Sequence, residues 1–169
     1  MTVYLIGTVK HFVCLDGDTR PSTDDVPIGS RLTVADTGAE EMYVGRYYAA
    51  GVLTVDDQPE ADDTILVGAT TYTFLASGAN EAGEVNVGAS VAAAIVNIVA
   101  AINGTDGYNT ANASVTAAAT AADEITVTSK VTGVAANTVA TVYTPNAAVT
   151  NAFAAATLTG GYDEWTELP

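Results

Sequence analysis

The sequence has few of the residues on which most catalytic and metal sites depend. Among its 169 residues there are one cysteine, one histidine and one tryptophan. The single cysteine, Cys14, excludes an intrachain disulfide and any metal site built from several thiolates. His11, the single histidine, leaves a hydrolase only one candidate base, and in a strand it would not face the same side as Cys14. We therefore expect Cys14 to be a buried free thiol and the protein not to be an enzyme.

Basic residues are also scarce, and this limits the partners of the chain. Five Lys and Arg stand against 20 Asp and Glu, which gives a net charge of −15. Because a surface this negative repels phosphate backbones and anionic lipid head groups, we expect no nucleic-acid partner and no membrane partner. The basic residues are unevenly placed: four of the five lie before residue 47, and only Lys130 follows. This asymmetry indicates a change of organisation near residue 47.

Long hydrophobic runs are missing too. The longest apolar stretch, residues 87–102, is shorter than the roughly 20 residues needed to span a bilayer and contains Ser90 and Asn97. The first residues lack the basic start and long apolar region of a signal peptide. We therefore expect a protein that is made in a cytoplasm.

Carboxylates are abundant, and their clusters are the best candidates for a metal site. The clusters are Asp16, Asp18, Asp24 and Asp25, and then Asp56, Asp57, Glu60, Asp62 and Asp63. Neither has the glycine and the distal glutamate of an EF-hand at the required offsets. Glycines occur at turns and not in a phosphate-binding loop. We expect solvated turn carboxylates, no metal site and no cofactor, and Ca²⁺ binding by these clusters stays an open alternative.

The first third of the chain reads as short β-strands and turns. Residues 3–6 and 11–14 are β-type runs that we expect to pair, and residues 16–27 form a proline-containing loop. The segments 31–34 and 41–44 flank Asp36-Thr37-Gly38, which predicts a β-hairpin.

A second pattern begins at residue 52, where 52–55 reads as a strand. The segments 64–67 and 71–74 predict a hairpin with a buried face made of Ile65, Val67, Tyr72 and Phe74. Residues 90–103 predict the single helix, with Ser90 as its N-cap and Gly104 as its stop. Further strands are predicted at 114–117, 124–128, 138–143 and 156–159. The predicted fold class is mainly β (α+β): an antiparallel β-hairpin unit with an inserted ββ-α-βββ domain.

Residues 52–161 resemble a module that recurs in virion structural proteins of tailed bacteriophages. The resemblance rests on Asp62-Asp63-Thr64-Ile65-Leu66-Val67-Gly68, Tyr72-Thr73-Phe74, the helix from Ser90 to Gly104, Thr132-Gly133-Val134-Ala135-Ala136-Asn137 and the ending Leu158-Thr159-Gly160-Gly161.

The first part resembles a β-hairpin unit of phage fibre and head-attached proteins, in which a tyrosine-bearing strand is followed closely by a tryptophan. The segments Gly17-Asp18-Thr19-Arg20-Pro21 and Asp36-Thr37-Gly38-Ala39-Glu40 fit it, but the only tryptophan, Trp165, lies at the far end of the chain. We therefore predict that residues 1–50 and 162–169 form one attachment unit, with 51–161 inserted as a projecting domain. Trp165 should then lie near Tyr43 or Leu32.

The resemblance implies a non-enzymatic virion protein, either a capsid decoration protein or a head fibre, located in the virion. Its partners would be the major capsid protein or another virion protein and further copies of itself, with a trimer favoured. Aromatic residues and Arg are enriched at interfaces, and the candidate interface residues are Tyr43, Arg46, Tyr47, Tyr48 and Trp165. Three alternatives remain: a tail or neck accessory protein, a cell-surface carbohydrate-binding module, and a glycan hydrolase.

Overall fold

The computed structural model describes residues 9–21, 26–146 and 148–168, and within them it is mainly β with one α-helix. The elements in chain order are β1 (His11–Cys14), β2 (Arg31–Val34), β3 (Glu40–Arg46), β4 (Tyr48–Thr54), β5 (Thr64–Val67), β6 (Thr70–Leu75), β7 (Glu84–Asn86), α1 (Val91–Asn103), β8 (Val115–Ala119), β9 (Glu124–Thr132), a 3-10 turn (Val134–Thr138), β10 (Thr141–Thr144), β11 (Ala152–Phe153) and β12 (Asp163–Glu167). The chain divides into two compact units. The first unit runs up to Tyr47 and resumes at Tyr162, and the second is Tyr48–Gly161.

The first unit is a four-stranded sheet in the order β1-β2-β3-β12. The predicted hairpin is present, because β2 and β3 pair antiparallel. Strand β12 pairs antiparallel with β3, so the end of the chain returns to the sheet that the beginning started. Strand β1 pairs parallel with β2. Residues 3–6, which we expected to pair with β1, lie outside the described residues.

The second unit contains two four-stranded sheets, in the orders β10-β5-β6-β7 and β11-β4-β9-β8. The predicted hairpin of β5 and β6 is confirmed, and the four side chains of its predicted buried face are each no more than 1% exposed. The same core contains Leu53 and Val55 at the end of β4 and Ile125 and Val127 from β9. Alternation along these strands places one face of each sheet in the core.

The single helix lies where the sequence predicts it. Ser90 is its N-cap, accepting a hydrogen bond from the Ala93 backbone N–H at 3.3 Å, and Gly104 ends it in the left-handed conformation at φ 66°. Ile95, Ile98 and Ile102 are buried, so the apolar stripe faces the core. In the described part of the chain, no helix has both the length and the apolar character that crossing a bilayer requires.

Strand β8 lies at the edge of its sheet, and two asparagine side chains form hydrogen bonds with backbone groups along this edge. Asn103 accepts a hydrogen bond from the Ala117 N–H and donates one to the Ala117 carbonyl, at 2.9 and 2.8 Å. Asn112 accepts from the Val115 N–H at 3.3 Å. Because an open strand edge is a template for pairing with another chain, these two amides restrict where such pairing can start.

Three predicted strands in the second unit differ from the structure. Strand β4 begins at Tyr48, earlier than the predicted 52. The strand predicted at 138–143 begins only at Thr141, because residues 134–138 form a 3-10 turn that follows Gly133 at φ 81°. The strand predicted at 156–159 is reduced to isolated bridges at Thr157 and Thr159, and the short strand β11 forms instead. A further short strand, β7, pairs parallel with β6 and has no counterpart in the prediction.

Candidate functional site

Two of the five predicted interface residues, Tyr43 and Trp165, pack against each other in the first unit. Tyr43 is only 2% exposed, and its ring lies 5.2 Å from that of Trp165. The expected proximity of Trp165 to Tyr43 is therefore confirmed. The Trp165 indole N–H donates to the Pro21 carbonyl at 3.1 Å, and Phe12 packs edge-on against the same indole at 6.1 Å. These contacts join β12 to β1, to β3 and to the loop after β1.

Arg46 is the third predicted residue, and its guanidinium is engaged within its own unit. It forms an ion pair with Asp163, and the two side chains are 17% and 8% exposed. The Tyr43 hydroxyl lies 3.5 Å from the same carboxylate oxygen. The second carboxylate oxygen of Asp163 is buried and has no partner among the described residues. This pair joins β3 to β12 where the chain leaves and re-enters the first unit.

Tyr47, the fourth predicted residue, is exposed and stacks on a tyrosine that the sequence analysis did not select. The rings of Tyr47 and Tyr162 lie 4.3 Å apart and nearly parallel, at 18°, and the Tyr47 N–H donates to the Tyr162 carbonyl. Both side chains are more than 40% exposed. A hydrogen bond to Glu164 raises the pKa of the Tyr47 hydroxyl. The two rings form an aromatic surface that is open to a partner.

Tyr48, the fifth predicted residue, belongs to the second unit and is 57% exposed on β4. It lines a shallow groove of about 370 Å³ together with Thr116, Thr128, Ser129 and Lys130. The five predicted residues therefore do not make one surface: Tyr43 is buried, Trp165 is half-buried against it, Arg46 forms an internal ion pair, and the two exposed tyrosines belong to different units.

A second exposed feature of the first unit, missed by the sequence analysis, is apolar. Along and beside β1 the alternate residues Val9, Val13 and Leu15 are 47%, 73% and 54% exposed, and Ile28 is 56% exposed. Among the described residues, β1 is an edge strand of its sheet. We call these four residues the β1 apolar patch. Residues 9, 11, 13 and 15 lie on the same face of the strand by alternation, and all of them except His11 are apolar. This pattern in the sequence does not tell whether that face is covered or exposed.

His11 and Cys14 lie on the same strand, and the structure gives them no joint role. His11 is exposed and Cys14 is partly exposed, so the expectation of a buried thiol was wrong. The reason is that β1 is at the edge of a single sheet, whose faces are only partly covered. Three residues of separation along a strand place the two side chains on opposite faces.

Two members of the second acidic cluster have a structural role. Asp63 is fully buried and accepts three hydrogen bonds: from the Tyr143 hydroxyl at 2.5 Å, from the Asn146 N–H at 2.6 Å and from the Glu60 N–H at 2.9 Å. Asp57 accepts from the N–H and the hydroxyl of Thr150. These bonds tie the loop after β4 to the loop after β10. The expectation that all these carboxylates are solvated was therefore wrong for Asp63.

Within the described ranges, no group of three or more His, Cys, Asp or Glu side chains is arranged to hold a metal ion. Asp24 and Asp25, two members of the first acidic cluster, lie outside those ranges. Asp18 accepts a hydrogen bond from the Leu15 N–H at 2.9 Å, which closes the turn after β1.

The Tyr143 hydroxyl gives a testable pH dependence. Burial, and then its hydrogen bond to Asp63, raise the pKa of Tyr143, and burial also raises the pKa of Tyr72. A tyrosine with a raised pKa stabilises the fold below the ordinary value of about 10, and this contribution is lost as the pH rises above it, since the unfolded chain ionises first. We expect the free energy of unfolding to fall above pH ~10.

The check is a titration of tyrosinate absorbance in native buffer and in denaturant. In native buffer, some of the eight tyrosines should ionise only together with unfolding, whereas in denaturant all should titrate in one step. A native titration that matches the denatured one while the fold is retained would contradict the expected shifts.

Compared with known proteins, the chain matches no family model, no curated protein and no solved structure at a significant level. Its function therefore has to be inferred from the geometry of the chain itself.

Proposed function

We propose that this protein is a non-enzymatic structural protein of a tailed-phage virion, a capsid decoration or head-fibre protein that docks through its first unit. One observation carries the proposal: the first unit exposes apolar surface out of proportion to its size. Of the eleven large apolar side chains that are exposed in the described part of the chain, six belong to this smaller unit. Contiguous exposed apolar residues on a folded domain are typical of an interaction surface.

The position of the β1 apolar patch supports docking by the first unit. Its residues lie on and beside an edge strand, where neighbouring proteins can contact side chains and backbone together. Val13 is the most exposed of the eleven, at 73%. The stacked Tyr47 and Tyr162 add amphipathic aromatic surface, a residue type enriched at protein interfaces. The partner that fits this surface is the major capsid protein or another virion protein.

The charge distribution supports a different role for the second unit. Between Tyr48 and Gly161 the sequence holds ten carboxylates and one basic side chain, Lys130, so this unit has a formal charge of −9. Strong net charge keeps a protein soluble and opposes association between like surfaces. We propose that this unit is the part of the protein that faces solvent on the particle.

The buried polar groups also support a structural role. Asp63 and Asn112 are each surrounded by protein donors and acceptors that belong to strands and loops of the same unit. Such networks fix loop conformation and add to stability when they are fully satisfied. We propose that adhesion and self-association are the functions of this protein, and that it forms a symmetric oligomer, with a trimer favoured.

The docking proposal predicts a specific effect of one substitution. Val13→Asp in the β1 apolar patch should weaken binding to purified particles that lack this protein by about ten-fold or more, because a buried unpaired charge is costly at an apolar contact. The matched control is Val96→Asp, since Val96 is exposed to a similar degree, 66%, on the helix of the second unit. Binding is measured by co-sedimentation of the protein with the particles.

Labelled antibodies and electron microscopy locate the bound protein on the particle. Label on the head supports decoration or a head fibre, whereas label confined to the tail or neck contradicts it and assigns the protein there. Equal binding by the two aspartate variants would reject the β1 apolar patch as the docking surface. No binding to any part of a virion would reject the proposed function. Light scattering on the pure protein tests the oligomer, and a strict monomer would contradict the proposed self-association.

A further inference from the structure

The shallow groove of the second unit carries an inference that goes beyond virion attachment. Strands β4, β9 and β8 form its floor, since Thr128 of β9 lies opposite both Ala50 of β4 and Thr116 of β8. The ladder between β4 and β9 shifts register between Tyr48 and Ala50. Irregular pairing of this kind bends a strand and redirects side chains, and it is common next to binding sites. Here it accompanies an exposed tyrosine at the groove wall.

The groove combines three kinds of chemical group in about 370 Å³. Tyr48 supplies an aromatic ring that is 57% exposed. Thr116 and Thr128 supply hydroxyls, which both donate and accept hydrogen bonds, whereas the side chain of Ser129 is buried on the other face of β9. Lys130 supplies an ammonium group, and none of the carboxylates in the described part of the chain lines the groove. A few polar groups converging beside an aromatic surface are the usual composition of a small-molecule site.

The position of Lys130 in the second unit supports a role in ligand binding. It is the only basic residue between Tyr48 and Gly161, a stretch that holds ten carboxylates. Its ammonium group donates one hydrogen bond to the Asn112 carbonyl, which fixes the position of the side chain. An ammonium has three donors, so two remain for a ligand. The single positive charge of the unit is therefore held beside its most exposed tyrosine.

We propose that this groove binds an acidic sugar, a pyranose ring that carries one carboxylate. The apolar C–H face of the ring packs on Tyr48, the threonine hydroxyls bind the sugar hydroxyls, and Lys130 binds the carboxylate. A nucleotide or other polyphosphate fits less well, because a unit with a charge of −9 repels a multiply charged ligand more strongly than a monoanion. The groove is open, so we expect weak binding of a single sugar residue.

The experiment is an NMR titration of the labelled full-length protein with methyl β-glucuronide, with the neutral methyl β-glucoside and with acetate as matched ligands. The glucuronide should shift the amide signals of Thr116, Thr128 and Lys130 at millimolar concentration. The glucoside should bind more weakly by up to about five-fold, the range of one exposed charge pair. Acetate should not reproduce the shifts.

Three variants test the assignment of roles. Tyr48→Ala should weaken glucuronide binding about ten-fold, while Tyr48→Phe, which retains the ring, should bind as the original protein does. Lys130→Met should remove the preference for glucuronide over glucoside, and Lys130→Arg should keep it. Tyr162→Ala is the control, since that exposed tyrosine belongs to the other unit. Amide spectra of each variant show whether the fold is retained.

The proposal is overturned if the glucuronide produces no shift, if acetate alone produces the same shifts, or if folded Tyr48→Ala binds as well as the original protein. Equal binding of glucuronide and glucoside would overturn the acidic-sugar assignment. No particle enters this experiment, so its failure would leave the proposed docking of the first unit untouched, and failed docking would not affect this result.

Discussion

Replacing Asn112 with alanine is expected to lower the free energy of unfolding by about 3 kcal/mol. The side chain is 3% exposed and donates to the Val67 carbonyl at 3.0 Å and to the Tyr72 hydroxyl at 3.3 Å. Its carbonyl accepts from the backbone N–H groups of Ser114 and Val115. Alanine leaves these four groups without their partner, and each buried group left unsatisfied costs about 1–3 kcal/mol before relaxation and water entry reduce the sum.

Urea denaturation and calorimetry measure this loss. The control is Thr110→Ala, an exposed position in the same loop that should change stability by less than about 0.5 kcal/mol. Asn112→Asp tests the mechanism further, because it keeps the acceptor for the two N–H groups and loses the donor. Because it also places a carboxylate against the Val67 carbonyl in a buried site, it should be at least as unstable as the alanine variant. A loss no larger than that of Thr110→Ala would show that the network does not stabilise the unit.

Replacing Asp63 with alanine is expected to be as destabilising, again by about 3 kcal/mol. This carboxylate is fully buried and accepts hydrogen bonds from Tyr143, Asn146 and Glu60. Hydrogen bonds to an ionised group are stronger than neutral ones, and removing the acceptor leaves three buried or half-buried donors without a partner. Because two of these donors are backbone groups, the loops themselves should lose order.

The matched control for this substitution is Asp56→Ala. Asp56 lies in the same acidic segment but is exposed, so we expect a change of less than about 0.5 kcal/mol. Hydrogen exchange of the Glu60 and Asn146 amides provides a second measurement. Both should exchange faster in Asp63→Ala and remain unchanged in Asp56→Ala. If both variants unfolded at the same urea concentration, the Asp63 carboxylate would stabilise the fold no more than the exposed carboxylate of Asp56 does.

The parts of the fold that were predictable from the sequence are those fixed by local signals. The helix is bounded by a serine that can cap it and by a glycine that adopts φ 66°, and its isoleucines recur at helical spacing. The hairpin of β5 and β6 was predictable because Ile65, Val67, Tyr72 and Phe74 alternate with small or polar residues. In both cases, neighbours in the sequence are sufficient to define the conformation.

The strands that were predicted wrongly depend on distant partners. Residues 156–159 have a β-type composition, but their backbone meets Ala50 and Ala140 only at single bridges. Strand β7 has three residues, and it exists because β6 offers its edge in parallel. Strand propensity describes a side chain that suits a half-buried surface, and it does not say which strand will provide that surface.

In the candidate site, too, some features follow from the local sequence and others depend on distant contacts. Composition alone identified tyrosines near residue 47, yet which of them are buried depends on contacts across the whole sequence. Tyr43 is covered because Trp165 arrives from more than a hundred residues away, whereas Tyr47 stays exposed and finds Tyr162. The groove with Lys130 was not predictable, because its walls come from three strands whose order in the sheet is not the order in the sequence.

The two asparagine amides along β8 have a consequence for this chain at high local concentration. Crowding raises the effective concentration of every exposed backbone edge, and fibrous aggregation begins where such edges meet in register. Asn103 saturates the N–H and carbonyl of Ala117 in the middle of that strand, so a neighbouring copy finds no uninterrupted ladder to extend. The amide groups thereby oppose polymerisation of the chain through this edge of the sheet.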